Sequence, residues 1–266
     1  MPLQDKETNT DATNVGEATA EFEPNHRRGV YLIPNLLTTS ALFAGFYSII
    51  SSINGDFIKA SIAIFVAQLL DGADGRVARM THTQSEFGAQ YDSMSDLMAF
   101  GLAPALLAFQ WSLSDLGQAG WVAAFIFVAG AALRLARFNV QISKVDKKYF
   151  VGLASPAGAG VIWATVWSLA DYGVSGQDVA WLMAILVPLI GAMMLSPIRY
   201  YSFKDIGGQR RVPFFVLMAI VLVFALVALD PPRVFLGFAV VYALHGPVME
   251  AIRWTKKKKG AELKQK

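Results

Sequence analysis

The chain has 266 residues, of which 55% are hydrophobic and 16% charged, with a net charge of +3. Its mean hydropathy is +0.43. A soluble domain carries about a quarter charged residues, so this composition excludes an ordinary water-soluble fold and points to a polytopic membrane protein. Cysteine is absent, which excludes a disulfide framework, a thiolate metal site and a catalytic thiol.

The first 28 residues are polar and mostly acidic and lack the basic start and apolar core of a signal peptide. Their composition predicts a disordered cytoplasmic tail. Apolar segments follow near 31–53, 57–78, 88–113, 118–140, 155–171, 178–198, 212–229 and 232–252. They predict an all-α polytopic protein of about eight transmembrane helices, because backbone groups in lipid must be satisfied within each segment. The fifth and seventh are short against the ~20 residues a span needs. A tight DPPR turn separates the last two. Residues 29–253 are thus the expected membrane-embedded domain. Residues 254–266 are a basic tail, with Lys256 to Lys259 suited to anionic headgroups.

Charge orients these spans. With both termini in the cytoplasm, every Lys and Arg except Lys59 and Arg233 falls on the inner side. Such asymmetry is the positive-inside pattern of a cytoplasmic membrane and supports an even number of spans. No nucleic-acid partner is expected; the partners implied are membrane lipids.

The end of the second segment and the start of the third carry Asp71, Asp74, Asp92 and Asp96. Spacings of three and four place each pair on one helix face. If the two helices pack side by side, four carboxylates converge, and they need cations to remain ionised. Hard divalent ions on oxygen ligands suit them, Mg²⁺ foremost, and two ions can share four carboxylates as in phosphoryl-transfer sites. Gly72, Gly75 and Ala78 leave room beside the first pair, and Gly88 lies one turn before Asp92. Arg79 offers a planar fork for phosphate, or a simple interfacial anchor. Asn35, Thr38 and Thr39 at the start of the first span are placed to line a nucleotide site or to cap and cross-link helices. Arg134 and Arg137 share a face at the inner end of the fourth span, with Asn139 nearby. They read as anion ligands or as snorkelling arginines. Arg199 and Lys204 on the next inner loop are a weaker second candidate, and His82 is given no role.

The run Asp71-Gly72-x-Asp74-Gly75-x-x-Ala78-Arg79, eight residues, then Gly88-x-x-x-Asp92-x-x-x-Asp96 resembles the signature of the CDP-alcohol phosphotransferases, with all of the signature positions present. The stretches IPNLLTTSALFAG, LRLARFN, GLASPAGAG and SPIRYYSFK are most similar to the bacterial branch whose acceptor is L-serine. The resemblance implies a six-helix core with two added C-terminal helices, a homodimer in the inner membrane, and CDP-diacylglycerol as donor. It also implies divalent metal, Mg²⁺ or Mn²⁺, on the positions of Asp71, Asp74, Asp92 and Asp96, with Asp96 as general base. Gly75, Arg79 and Ser85 match positions that help bind the donor headgroup. The residues leave other acceptors open, namely glycerol 3-phosphate, inositol phosphate or choline. A cation transporter is the rival from another class, since carboxylates in membranes also mark ion paths.

Overall fold

The computed structural model describes residues 28–81, 83, 85–141, 149–201 and 214–264. Eight helices account for nearly all of them: α1 Arg28–Ile53, α2 Phe57–Met80, α3 Glu86–Leu116, α4 Gln118–Gln141, α5 Ser155–Asp171, α6 Ala180–Leu195, α7 Phe214–Leu229 and α8 Pro231–Lys264. Among the described residues, five segments are long and apolar enough to cross a membrane: Ile33–Ile53, Glu86–Leu116, Gln118–Val140, Gly176–Leu195 and Pro231–Thr255. The other three depart from a simple span for visible reasons. Helix α2 carries Asp71, Asp74, Arg76 and Arg79 in its last turns, while α5 and α7 have only 17 and 16 residues. The expected N-terminal tail, His82 and Lys204 lie outside the described residues.

Two expectations shift. Helix α8 does not end before the basic tail; it continues through Lys256 to Lys259 and reaches Lys264. The third span is one rod but not a uniform α-helix: π-helical turns occupy Leu97–Leu102 and Phe109–Leu113. A π turn adds a residue to the helical cycle and re-aims the side chains that follow. The first begins directly after Asp96 and buries Ala99, Phe100 and Gly101.

Lipid removes the hydrophobic drive for helix association, so close backbone approach through small residues carries the packing. A Cβ on Gly45 of α1 would lie 2.8 Å from the Cα of Ala99 on α3. The α4–α6 crossing is tighter, since a Cβ on Gly130 would meet the carbonyl oxygen of Gly191. Gly130→Ala is therefore expected to destabilise the protein by about 1–3 kcal/mol, the usual cost of overpacking. Thermal unfolding of the detergent-solubilised variant checks this; an unchanged midpoint would contradict so close a crossing.

Phe100, Leu107, Leu113, Phe127 and Ile162 are fully buried at the centre of the bundle. Helix α5 packs between α2 and α8, whereas α7 rests on α8 with nearly every side chain exposed. At the end of the bundle away from the aspartates, Arg233 pairs with Asp230 at 2.7 Å and Asp171 at 3.2 Å and lies 3.8 Å above the Tyr172 ring. Lys59 pairs with Asp56 at 2.8 Å. Both basic residues assigned to the outer face thus carry carboxylate partners.

A short antiparallel ribbon, β1 Tyr149–Val151 with β2 Arg199–Tyr201, ties the α4–α5 connection to the segment after α6. Gly152 follows at φ +84°, and a Cβ there would strike the Met194 carbonyl, so the turn needs glycine on both counts. Tyr200 is fully buried and donates to the Ala243 carbonyl at 3.3 Å, its ring seated against Gly246 of α8. Burial pushes its phenol up to about 12, so it remains a donor.

Candidate active site

Helix α2 ends at Met80 and α3 begins at Glu86, and the carboxylates near the end of α2 meet Asp92 of α3. Ser85 caps α3 by accepting from the Gly88 amide at 3.0 Å, which fixes where the helix begins. The two aspartate pairs then face each other. One carboxylate oxygen each of Asp71, Asp74 and Asp92 lie within 4.8 Å of one another. Asp96 brings its carboxyl against that of Asp71. The convergence predicted from spacing is thus what the structure contains.

Helix α1 holds this cluster from behind. The Thr38 hydroxyl donates to Asp74 Oδ2 at 2.6 Å, and the Thr38 carbonyl accepts from Ser95 on α3 at 3.2 Å. The hydroxyls of Thr39 and Tyr91 are 2.9 Å apart. Asn35 turns its side-chain oxygen toward Gly88, 3.6 Å from where a Cβ would stand. Gln68 lies three residues before Asp71. It donates to the Pro156 carbonyl and accepts from Trp163 Nε1 at 2.7 Å, which locks the rotation of α2 against α5.

Carboxyl groups in contact repel unless a proton or a cation lies between them. Asp92 Oδ1 is buried without a hydrogen-bond partner. A buried unpaired carboxylate oxygen costs several kcal/mol, in the range of about 1–3 or more. An all-oxygen donor set with an unused buried oxygen fits a hard divalent cation. Beside it the surface is open, since a Cβ on Gly72 would meet nothing within 4 Å. Gly75 borders Arg79, whose Nη1 lies 3.8 Å from the position of a Cβ there. Ala78 is half-buried, and Arg79 and Ser85 are exposed.

The acceptor candidates separate. Arg134 turns inward, donating from Nη1 to Ser155 at 3.0 Å, with Asp96 and Tyr242 as its electrostatic neighbours. Its Nε is buried and unpartnered. Arg137 is exposed, so the two arginines expected on one face differ in burial. Asn139 exchanges hydrogen bonds with Ser93 at 3.0 and 3.2 Å and links α4 to α3. Arg199 has its backbone opposite Val151 in the ribbon, but its side chain lies outside the described residues. Glu250 pairs with Arg253 at 3.5 Å. Sequence reasoning missed Gln68, Tyr91, Ser95, Ser155 and Tyr242 at or behind the site. A polar residue one helical turn from a carboxylate, as Gln68 is, was the available signal.

Fold and site together define a polytopic membrane enzyme with a cluster of carboxylates that could hold metal at one end of its helices. Residues 31–193 match the sequence model of the CDP-alcohol phosphatidyltransferase family, and the chain belongs to that family. It is 35% identical over 225 residues to the CDP-diacylglycerol–serine O-phosphatidyltransferase of Helicobacter pylori (strain ATCC 700392 / 26695), covering 85% of this chain and 92% of that protein. The same-named protein of Mycobacterium leprae (strain TN) is 30% identical over 84% of this chain and 77% of its own length. That of Methanocaldococcus jannaschii is 31% identical over 82% of this chain and 96% of its own. The family is generally dependent on divalent metal, in keeping with the aspartate cluster.

Proposed function

We infer that the chain transfers the phosphatidyl group of CDP-diacylglycerol to the hydroxyl of L-serine, forming phosphatidylserine and releasing CMP. The observation that carries this reading is the convergence of Asp71, Asp74, Asp92 and Asp96 beside an open glycine face. The names of the relatives supply the acceptor.

Asp71, Asp74 and Asp92, joined by Asp96, would hold two divalent ions, Mg²⁺ or Mn²⁺, which when bound neutralise the pyrophosphate and stabilise the leaving CMP. Thr38 orients Asp74 for that task. Gly72 and Gly75 let the donor headgroup approach α2 closely, and Arg79 offers it a bidentate cation. Ala78, Ser85 and Asn35 border the same side. Asp96 takes the proton of the serine hydroxyl as its oxygen attacks the phosphorus next to diacylglycerol. Such help is commonly worth ~10²–10⁴-fold. Arg134 supplies positive charge for the serine carboxylate, with Asn139 behind it; Arg137 and Arg199 are left to lipid or donor phosphates. The distribution of basic residues supports a bacterial inner-membrane placement with both termini and the site cytoplasmic. A homodimer is the assembly expected from the family resemblance.

The test is CMP release by purified protein given CDP-diacylglycerol, Mg²⁺ and, in turn, L-serine, glycerol 3-phosphate, inositol phosphate and choline. Serine is expected to support release. Release with another acceptor alone would reassign the substrate, and ion flux without CMP would favour transport.

A further inference from the structure

Two contacts between α3 and α4 bracket Asp96 and Arg134. Ser93 exchanges hydrogen bonds with Asn139 at 3.0 and 3.2 Å, and a Cβ on Gly101 would lie 3.3 Å from that of Ala131. The numbering falls along α4 as it rises along α3, so the two helices run antiparallel there. Asp96 lies between Ser93 and Gly101, and Arg134 lies between Ala131 and Asn139. The two residues therefore stand in the same stretch of the crossing.

The Arg134 guanidinium is anchored at one corner. Its Nη1 donates to Ser155 Oγ at 3.0 Å, while its Nε is buried without a partner. Ser155 is itself fully buried, and the backbone is fixed on both sides of it. Before it, the Gly152 amide donates to the Ile198 carbonyl at 2.8 Å and the Leu153 amide to the Met193 carbonyl at 3.1 Å. After it, the Pro156 carbonyl accepts from Gln68 of α2, whose own oxygen accepts from Trp163 Nε1 at 2.7 Å. Ser155 opens α5, where the proline ring further restricts the backbone. Its hydroxyl is thus a rigid acceptor. An arginine loses much rotamer freedom when it binds, so fixing it beforehand lowers the cost of binding. A carboxylate accepts from a guanidinium along an edge, from two N–H groups at once. With Nη1 engaged by Ser155, the edge that includes Nε remains for such an anion.

We propose that Ser155 is a positioning residue for acceptor recognition: by holding Nη1 it sets the Arg134 guanidinium so that the edge at Nε receives the acceptor's carboxylate while the acceptor's hydroxyl meets Asp96. This rests on the serine-transfer reading. It also ties the acceptor pocket to α2, the helix of Asp71 and Asp74, through Gln68 and Pro156.

The experiment measures CMP release against L-serine for wild type, Ser155→Ala, Arg134→Ala and the double variant. For Ser155→Ala the serine KM is expected to rise about tenfold, the scale of one hydrogen bond to a charged group. Its kcat and CDP-diacylglycerol KM should stay within about twofold. Arg134→Ala should lower kcat/KM for serine further. Adding Ser155→Ala to it should then cost nothing more, because a residue that acts through Arg134 has no effect once Arg134 is gone. An unchanged serine KM in Ser155→Ala overturns the proposal. So does an undiminished Ser155→Ala effect in the Arg134→Ala background, or an equal loss in kcat and donor KM, since either marks a role apart from Arg134. Wild-type protein that releases CMP with another alcohol but not with serine overturns the serine-transfer reading itself.

Discussion

Asp96→Asn is expected to reduce CMP release by ~10²–10⁴-fold or more, because an amide cannot take the serine proton. The substitution keeps the size of the side chain, so the packing that follows it, including the π turn at Leu97–Leu102, has no reason to change. It also removes a negative charge from beside Asp71, so the variant should unfold no earlier than wild type. Turnover within about tenfold of wild type, measured as CMP release by folded protein, would mean that another group accepts the proton. Asp92→Asn should also be nearly inactive but by another route. It loses a metal ligand rather than a base, so added Mg²⁺ or Mn²⁺ should recover part of its activity while leaving Asp96→Asn inactive.

Chelation should abolish turnover and readdition of Mg²⁺ or Mn²⁺ should restore it. Four carboxylates cannot hold a pyrophosphate against their own charge without cations. The structure adds a finer expectation through Thr38, which donates to Asp74 at 2.6 Å. Thr38→Val preserves shape and removes that bond. Loss of an outer-shell partner typically costs ~10–100-fold in metal affinity. The metal concentration for half-maximal CMP release should rise by that order, with kcat regained at saturation. Full turnover after exhaustive chelation would remove the metal centre from the mechanism.

Much of this is legible in the sequence itself. Long apolar runs had to become helices, and the spacing of Asp71 with Asp74 and of Asp92 with Asp96 placed each pair on one face. Their meeting in one cluster needed the end of α2 and α3 to converge across the few residues that separate them in sequence. The arginines were less legible. A spacing of three suggested that Arg134 and Arg137 act together, yet Arg134 is turned inward and Arg137 is exposed. Residues three apart differ by about 60° around a helix, so a face shared in sequence can straddle the boundary between core and surface. The rotation of α4 is set partly by the Gly130–Gly191 crossing, with a segment some sixty residues away by the numbering of those two glycines. The π turn after Asp96 also had no signal in hydropathy, because it adds no polar residue.

Helical type, the membrane solvent and the carboxylate cluster are consequences of local sequence, because hydrocarbon forces each segment to satisfy its own backbone and makes isolated charge expensive. Which residues stand behind and opposite that cluster is not local. Thr38 reaches Asp74 from α1, and Ser155 of α5 meets Arg134 of α4. Those neighbours depend on how small residues let distant helices approach and turn, and such packing between remote segments leaves no periodic trace in the sequence.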